Sequence, residues 1–177
     1  MPKAYSIKSS QLTIDNDTLR NKNADKDSLA NGQLKVVYFP SCINQTMGLP
    51  KKSPVEQALA SKMIALLQKG GYEVIFPENM EKLCCGTIWE SKGMLDIADR
   101  KSAELEAALW KASEQGRYPV LCDQSPCLHR MRETIHKMKL YEPAEFIYTF
   151  LRNRLVFTPT DRPVAVHILS LIHISEP

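Results

Sequence analysis

KVVYFPSC, residues 35–42, is the stretch that decides the fold. Its first six residues form a short apolar, β-branched and aromatic run, the pattern of a buried strand. Ser41 and Cys42 follow, and then a loop that contains Gly48 and Pro50. Ser53 can cap a helix, Pro54 suits its first position and Glu56 completes a capping box. Val55, Leu59, Met63, Leu66 and Leu67 then fall on one helical face, and Gly70-Gly71 closes the element.

The same cycle recurs downstream. YEVIFP (72–77) reads as a second strand and leads into Leu83-Cys84-Cys85-Gly86. Ala98, Ser102, Leu105, Leu109 and Ala112 repeat at spacings of four and three, which predicts a long helix from about Lys92 to Gln115, ended by Gly116. YPVLC (118–122) is a third strand, followed by Asp123. Ser125-Pro126 opens a helix with Leu128, Met131, Ile135 and Met138 on its inner face. A short strand near Leu140-Tyr141-Glu142 and a helix from Pro143, carrying Phe146, Ile147, Phe150 and Leu151, complete the series. Alternation of strand and helix is the signature of an α/β fold: βαβ repeats, a mostly parallel sheet with helices on both faces, and right-handed crossovers.

This cysteine-rich domain is assigned to residues 35–161. Residues 1–34 are polar and aperiodic, and NKNADKDSLANGQ reads as a solvated connector from a region further upstream. RPVAVHI (162–168) resembles KVVYFP in length and character, as if a second copy of the module were opening. Residues 169–177, LSLIHISEP, resemble the translation of a transposon-based sequencing adapter and are set apart from the fold as an artefact. A genuine buried strand, LSLIHI, is the other reading its apolar pattern allows.

Composition narrows the classes. The 177 residues are 44% hydrophobic and 24% charged, ordinary for a globular protein. The formal charge of +3 is too weak and too scattered to argue for nucleic acid or an anionic membrane surface. No stretch approaches the roughly 20 apolar residues of a membrane helix. The N-terminus lacks the apolar run of a signal peptide. A cytoplasmic location is expected, with peripheral association at the inner membrane as its variant. In a reducing compartment the five cysteines are not a disulfide framework, and an odd number cannot all pair.

The chemistry rests on those cysteines. Cys42 follows the first strand, Cys84 and Cys85 follow the second, Cys122 ends the third and Cys127 lies in the segment after it. A parallel sheet points all its strand C-termini to one edge, and ligands bind outside that edge. Cysteines far apart in sequence thus converge in space. Cys127 belongs to the first turn of the helix opened by Pro126, where free N–H groups and the positive dipole end favour a thiolate. Thiolates are what iron and zinc bind. Competing readings carry weight. A lone strand-end cysteine is more often a small buried hydrophobe than a ligand, and for Cys122 the two readings are evenly matched. Structural zinc usually takes C-x2-4-C knuckles, which Cys122 to Cys127 could pass as, but the vicinal pair Cys84-Cys85 reaches one tetrahedral ion awkwardly. No thioredoxin-like C-x-x-C is present.

YFPSCINQTMG, LCCGTIWESKG and CDQSPC together resemble the cysteine-rich CCG domain. That domain occurs in heterodisulfide reductase, in the iron–sulfur component of glycolate oxidase and in bacterial FAD- and iron–sulfur-containing D-lactate dehydrogenases, and the resemblance is strongest to the last group. It covers roughly residues 35 to 168. It implies an iron–sulfur cluster of the 4Fe-4S type held by Cys42, Cys84, Cys85 and Cys127, with Cys122 as a fifth ligand. It also implies FAD and a ferredoxin-like segment in the upstream part of the same protein, a second CCG module downstream, and oxidation of a 2-hydroxy acid such as D-lactate at the flavin. This chain would then be an electron-transfer module, inactive on lactate alone. The family's C-x-x-C is replaced here by Cys122 and Cys127 with four residues between them. A cluster-free CCG module that docks a flavin or iron–sulfur partner, and a disulfide reductase-like site, are the alternatives.

Other residues invite less. Asn44, Gln45 and Gly48 could donate to cluster sulfurs but more often shape a turn. Trp89 is as good a core anchor as a shield for a cluster. His129 and His136 read as solvated helix residues.

Overall fold

A computed structural model describes residues 33–47, 49, 52, 57–159 and 163. The elements below all belong to one compact unit, Lys22–Val156. In chain order they are strand β1 (Leu34–Phe39), helix α1 (Cys42–Thr46), helix α2 (Leu59–Lys69), strand β2 (Tyr72–Ile75), a 3-10 turn (Met80–Lys82), helix α3 (Thr87–Glu90), helix α4 (Leu95–Ala112), strand β3 (Val120–Cys122), helix α5 (Ser125–Thr134), strand β4 (Leu140–Tyr141), helix α6 (Pro143–Phe146) and a π-helical turn (Ile147–Leu151).

The four strands make one sheet in the order β2-β1-β3-β4, with every neighbouring pair parallel. Val36 lies opposite Val74, Phe39 opposite Cys122 and Leu121 opposite Tyr141. Both faces are covered. Leu34, Val36 and Tyr38 of β1 pack with Met63 and Leu67 of α2 and with Phe146, Phe150 and Leu151. Val37 and Phe39, pointing the other way, pack with Leu105 and Leu109 of α4 and Leu128 and Met131 of α5. Burial on both faces explains why KVVYF is apolar at every position after its lysine rather than alternating. It also explains how β3 forms with only three residues. Val120, Leu121 and Cys122 are all buried to 1% exposure or less. A fully buried aliphatic side chain is worth about 1.5–3 kcal/mol, more than the whole span of strand propensities.

The expected α/β architecture is therefore present, and most differences lie at element ends. β1 starts one residue early, at Leu34. β2 stops at Ile75 rather than Pro77. The long helix is shorter at both ends and preceded by the separate turn α3. Gly93, at φ +74°, breaks the helix on one side, and three consecutive left-handed residues, Glu114, Gln115 and Gly116, finish it on the other. Leu59, placed on the inner face of its helix by spacing, is half exposed at the first residue of α2, ahead of the buried Met63 and Leu67. Ile135 and Met138 are buried as expected but lie beyond the end of α5. The capping residues Ser53, Pro54 and Glu56, the connector to residue 32, nearly all of RPVAVHI and the segment 169–177 lie outside the described residues. Among the described residues no helix is long and apolar enough to cross a membrane.

Candidate functional site

Strand order creates the site. From β1 the chain crosses to β2 on one side, whereas from β3 it proceeds to β4 on the other. The segments leaving the C-terminal ends of β1 and β3 thus diverge, and such a topological switch point is where open α/β sheets bind their ligands. Asp123, the first residue past β3, spans the divergence. One carboxylate oxygen accepts from the Tyr38 hydroxyl at 2.7 Å, and the other accepts from the Ser41 backbone N–H at 2.8 Å. Both partners come from the β1 side, and Tyr38, Ser41 and Asp123 are all buried. The Tyr38 hydroxyl is held in its protonated form, first by burial and then by its hydrogen bond to Asp123.

Ser41 caps α1, its Oγ accepting from Asn44 N–H at 3.4 Å. Cys42 is thereby the first residue of a short helix and is exposed at the rim. Gln45 donates through Nε2 to the Pro40 carbonyl at 2.7 Å, so it shapes the turn. The buried Asn44 Nδ2 has no hydrogen-bond partner among the described residues.

The CCG segment is clamped through its backbone. The Cys85 carbonyl accepts from Ser102 Oγ of α4 at 2.8 Å and from Arg130 Nε of α5 at 3.1 Å. Gly86 has φ +93°, and a Cβ there would lie 2.5 Å from the Ala98 carbonyl oxygen and 2.8 Å from Arg130 Nε. Only glycine combines that backbone angle with that approach. Arg130 is buried to 4% exposure and pairs with Glu90 through one terminal nitrogen and with Asp99, at 2.7 Å, through the other.

The fold buries three of the five expected cysteines together, with Cys84 next to them in the chain and Cys42 exposed. Cys85, Cys122 and Cys127 are buried in the same apolar cluster, between the sheet and helices α4 and α5. Cys84 is half-buried beside them, its Sγ accepting from Gly86 N–H at 3.4 Å. Thr87 Oγ1 lies 3.2 Å from Cys85 Sγ. The neighbouring Cys127 and Cys84 thiols push the Cys85 thiol down against the cost of burial. Cys127 and Cys84 move the opposite way, up, through their neighbour Cys85 and through burial. Cys122 is pushed up to about 12, chiefly by burial, and its Sγ lies 3.8 Å from the Gln124 carbonyl. Cys42 is close enough to add repulsion at Cys84, Cys122 and Cys127. Among the described residues, no three His, Cys, Asp or Glu side chains are grouped to hold a single metal ion.

Sequence reasoning missed Tyr38, Asp123, Ser102 and Arg130. Asp123 carried a signal, as an acid directly after an apolar strand at the sheet edge. Arg130 carried one too, interrupting the apolar inner face between Leu128 and Met131, one turn after Cys127. His129 and His136 are exposed, and His129 pairs with Glu133 at 3.4 Å. Trp89 is half-buried next to the CCG segment. Comparison of the chain with protein-family models, with curated proteins and with solved structures found no match.

Proposed function

We propose that this chain is an iron–sulfur electron-transfer module of an FAD-linked 2-hydroxy-acid dehydrogenase of the D-lactate type, belonging to the CCG family. The observation that carries the reading is the placement of Cys42, of Cys84 and Cys85, and of Cys122 and Cys127 at or after the ends of three parallel strands, with Cys85, Cys122 and Cys127 in one buried cluster. The donor set suits a cluster. Thiolates are the ligands such clusters take, and Cys85 and Cys127 share one buried cluster, with Cys84 half-buried next to Cys85 in the chain. Asn44 Nδ2, in the same short helix as Cys42, is a buried donor whose unmade hydrogen bond a cluster sulfur would satisfy.

In this reading Cys42, Cys84, Cys85 and Cys127 hold the cluster, and Cys122 lies beneath them as a further thiol. When bound, the cluster supplies one-electron transfer. The protein's own residues do the rest: Asp123 ties the β1 and β3 ends together, Gly86 lets the CCG backbone turn, and the apolar cluster around Cys85 limits water. FAD, the ferredoxin-like segment, the second CCG module and the hydroxy acid belong to the rest of the same protein, so this chain does not oxidise lactate unaided.

A second reading has one observation in its favour. Ile43, Phe76, Ile88, Met94 and Leu95, all in segments that follow β1 and β2, expose 42–56% of their surface. Such a rim suits a cluster-free module that docks a flavin or iron–sulfur partner. Anaerobic reconstitution of the full chain decides between them. Near-stoichiometric iron and sulfide, with a broad visible absorption lost in Cys84→Ser, support the cluster. A folded, colourless chain that takes up no iron removes it and leaves docking as the better account.

A further inference from the structure

We propose that Arg130 is the positioning residue of the cysteine site: it sets the distance between Cys85 and Cys127 by holding the CCG backbone to the helix that carries Cys127. Arg130 and Cys127 are three residues apart in α5, one turn along the same rigid element. Nε of Arg130 donates to the carbonyl of Cys85 at 3.1 Å. The helix that presents one thiol thus grips the backbone of the residue that bears the other. The path between the two sulfurs runs through a single hydrogen bond and one turn of helix, so little slack remains between them.

The remaining guanidinium nitrogens fix the side chain itself. One pairs with Glu90 on α3, which begins directly after Gly86, and the other with Asp99 on α4 at 2.7 Å. A buried arginine left unpaired would be severely destabilising, so these carboxylates, both reaching solvent, are what allow it to sit at 4% exposure. The planar fork is needed. Three hydrogen bonds in three directions, to Cys85, Glu90 and Asp99, cannot be reproduced by the point charge of a lysine. Ser102 donates to the same carbonyl from α4 but has no link to α5. Removing Ser102 therefore loosens the segment without changing how Cys127 follows it.

The inference deepens the cluster reading, since those two thiols are among its proposed ligands, but its test needs no metal. In the metal-free full chain carrying Cys84→Ser, a short bis-alkylating bimane bridges neighbouring thiols, and peptide mapping measures how fast Cys85 becomes joined to Cys127. Arg130→Lys is expected to slow that bridging about tenfold with the helical circular dichroism unchanged, since misplacement by about 1 Å costs up to roughly a hundredfold in proximity-driven reactions. Ser102→Ala is expected to slow it less than threefold. Glu90→Gln alone leaves the Asp99 carboxylate on the guanidinium and so is the milder variant, and it is expected to slow bridging severalfold. Unchanged bridging in a folded Arg130→Lys chain, or in the Glu90→Gln chain, overturns the proposal. Iron uptake is scored separately on the wild-type chain. Failure there removes the cluster while leaving the Arg130 result to stand or fall alone.

Discussion

Replacing Gly86 by alanine tests the architecture of the site at its narrowest point. Two costs combine. The backbone sits at φ +93°, which an L-residue occupies at about 1–2 kcal/mol. The new methyl would also lie 2.5 Å from the Ala98 carbonyl and 2.8 Å from Arg130 Nε, and the first of these is backbone of α4 that cannot rotate away. Overpacking of this kind adds about 1–3 kcal/mol. Gly93 provides the control a few residues on: its φ is +74°, but an added Cβ meets nothing within 4 Å. Gly93→Ala should therefore lose only the backbone term, and Gly86→Ala should be less stable than it by about 2 kcal/mol. In a chain of this size that difference corresponds to roughly 4–8 °C in melting temperature. Thermal unfolding followed by circular dichroism reads both variants under one condition. Equal melting temperatures would refute the close approach of the CCG backbone to α4 and α5, and with it the clamp on Cys85.

Two further outcomes concern the switch point. Tyr38 keeps its proton in the folded chain to a higher pH than an ordinary tyrosine, whereas in the unfolded chain it ionises near pH 10. Above about pH 10 the unfolded state thus binds fewer protons than the folded one, so stability falls as pH rises. Tyr38→Phe should flatten that decline in urea titrations between about pH 8.5 and 11, and an unchanged slope would count against a buried Tyr38. Asp123→Asn should destabilise by about 1–3 kcal/mol, because a carboxylate accepting from Tyr38 and Ser41 is replaced by an amide with one acceptor. A neutral effect on the urea midpoint would mean that the two strands are not joined there.

How far the sequence could be read depends on the range of the interaction involved. KVVYFP, YEVIFP and YPVLC announce buried strands because burial on both faces leaves no polar position, and their alternation with helical spacing implies the parallel order before any contact is known. The convergence of Cys42, Cys84, Cys85, Cys122 and Cys127 follows from that order alone. Element ends were less legible, since Gly93 and the left-handed run at Glu114–Gly116 act through single backbone angles rather than through a pattern. Least legible were Arg130 and the proton balance of the thiols. Arg130 contacts residues 31 to 45 positions away, and a lone arginine in a helix ordinarily reads as solvated surface. Likewise Cys85 and Cys127 shift each other's thiols across the fold, which no local argument at a helix terminus includes.

The irregular spacing of Cys122 and Cys127 has a geometric explanation that makes a last prediction. A C-x-x-C ending at Cys127 would begin at position 124, which is glutamine here. Gln124 is in extended conformation, φ −136° and ψ 116°, and Cys122 lies two residues before it at the end of β3. In extended chain, residues two apart project to the same side. Asp123, between them, faces Tyr38 on the opposite side of the sheet, and Cys122 belongs to the cluster that holds Cys85 and Cys127. Cys122 is therefore in the same row as position 124 but one step deeper, where burial pushes its thiol up to about 12. A sulfur at that depth is farther from the edge at which Cys42 is exposed and Cys84 half-buried. Moving the cysteine outward, with Cys122→Ala and Gln124→Cys in one chain, should then raise iron uptake and slow cluster loss to a chelator relative to wild type, while Cys122→Ala alone should leave both nearly unchanged. Loss of iron in the single variant would instead make Cys122 a ligand in its own right, and the depth of its thiol would have to be relieved by movement of β3 when the cluster binds.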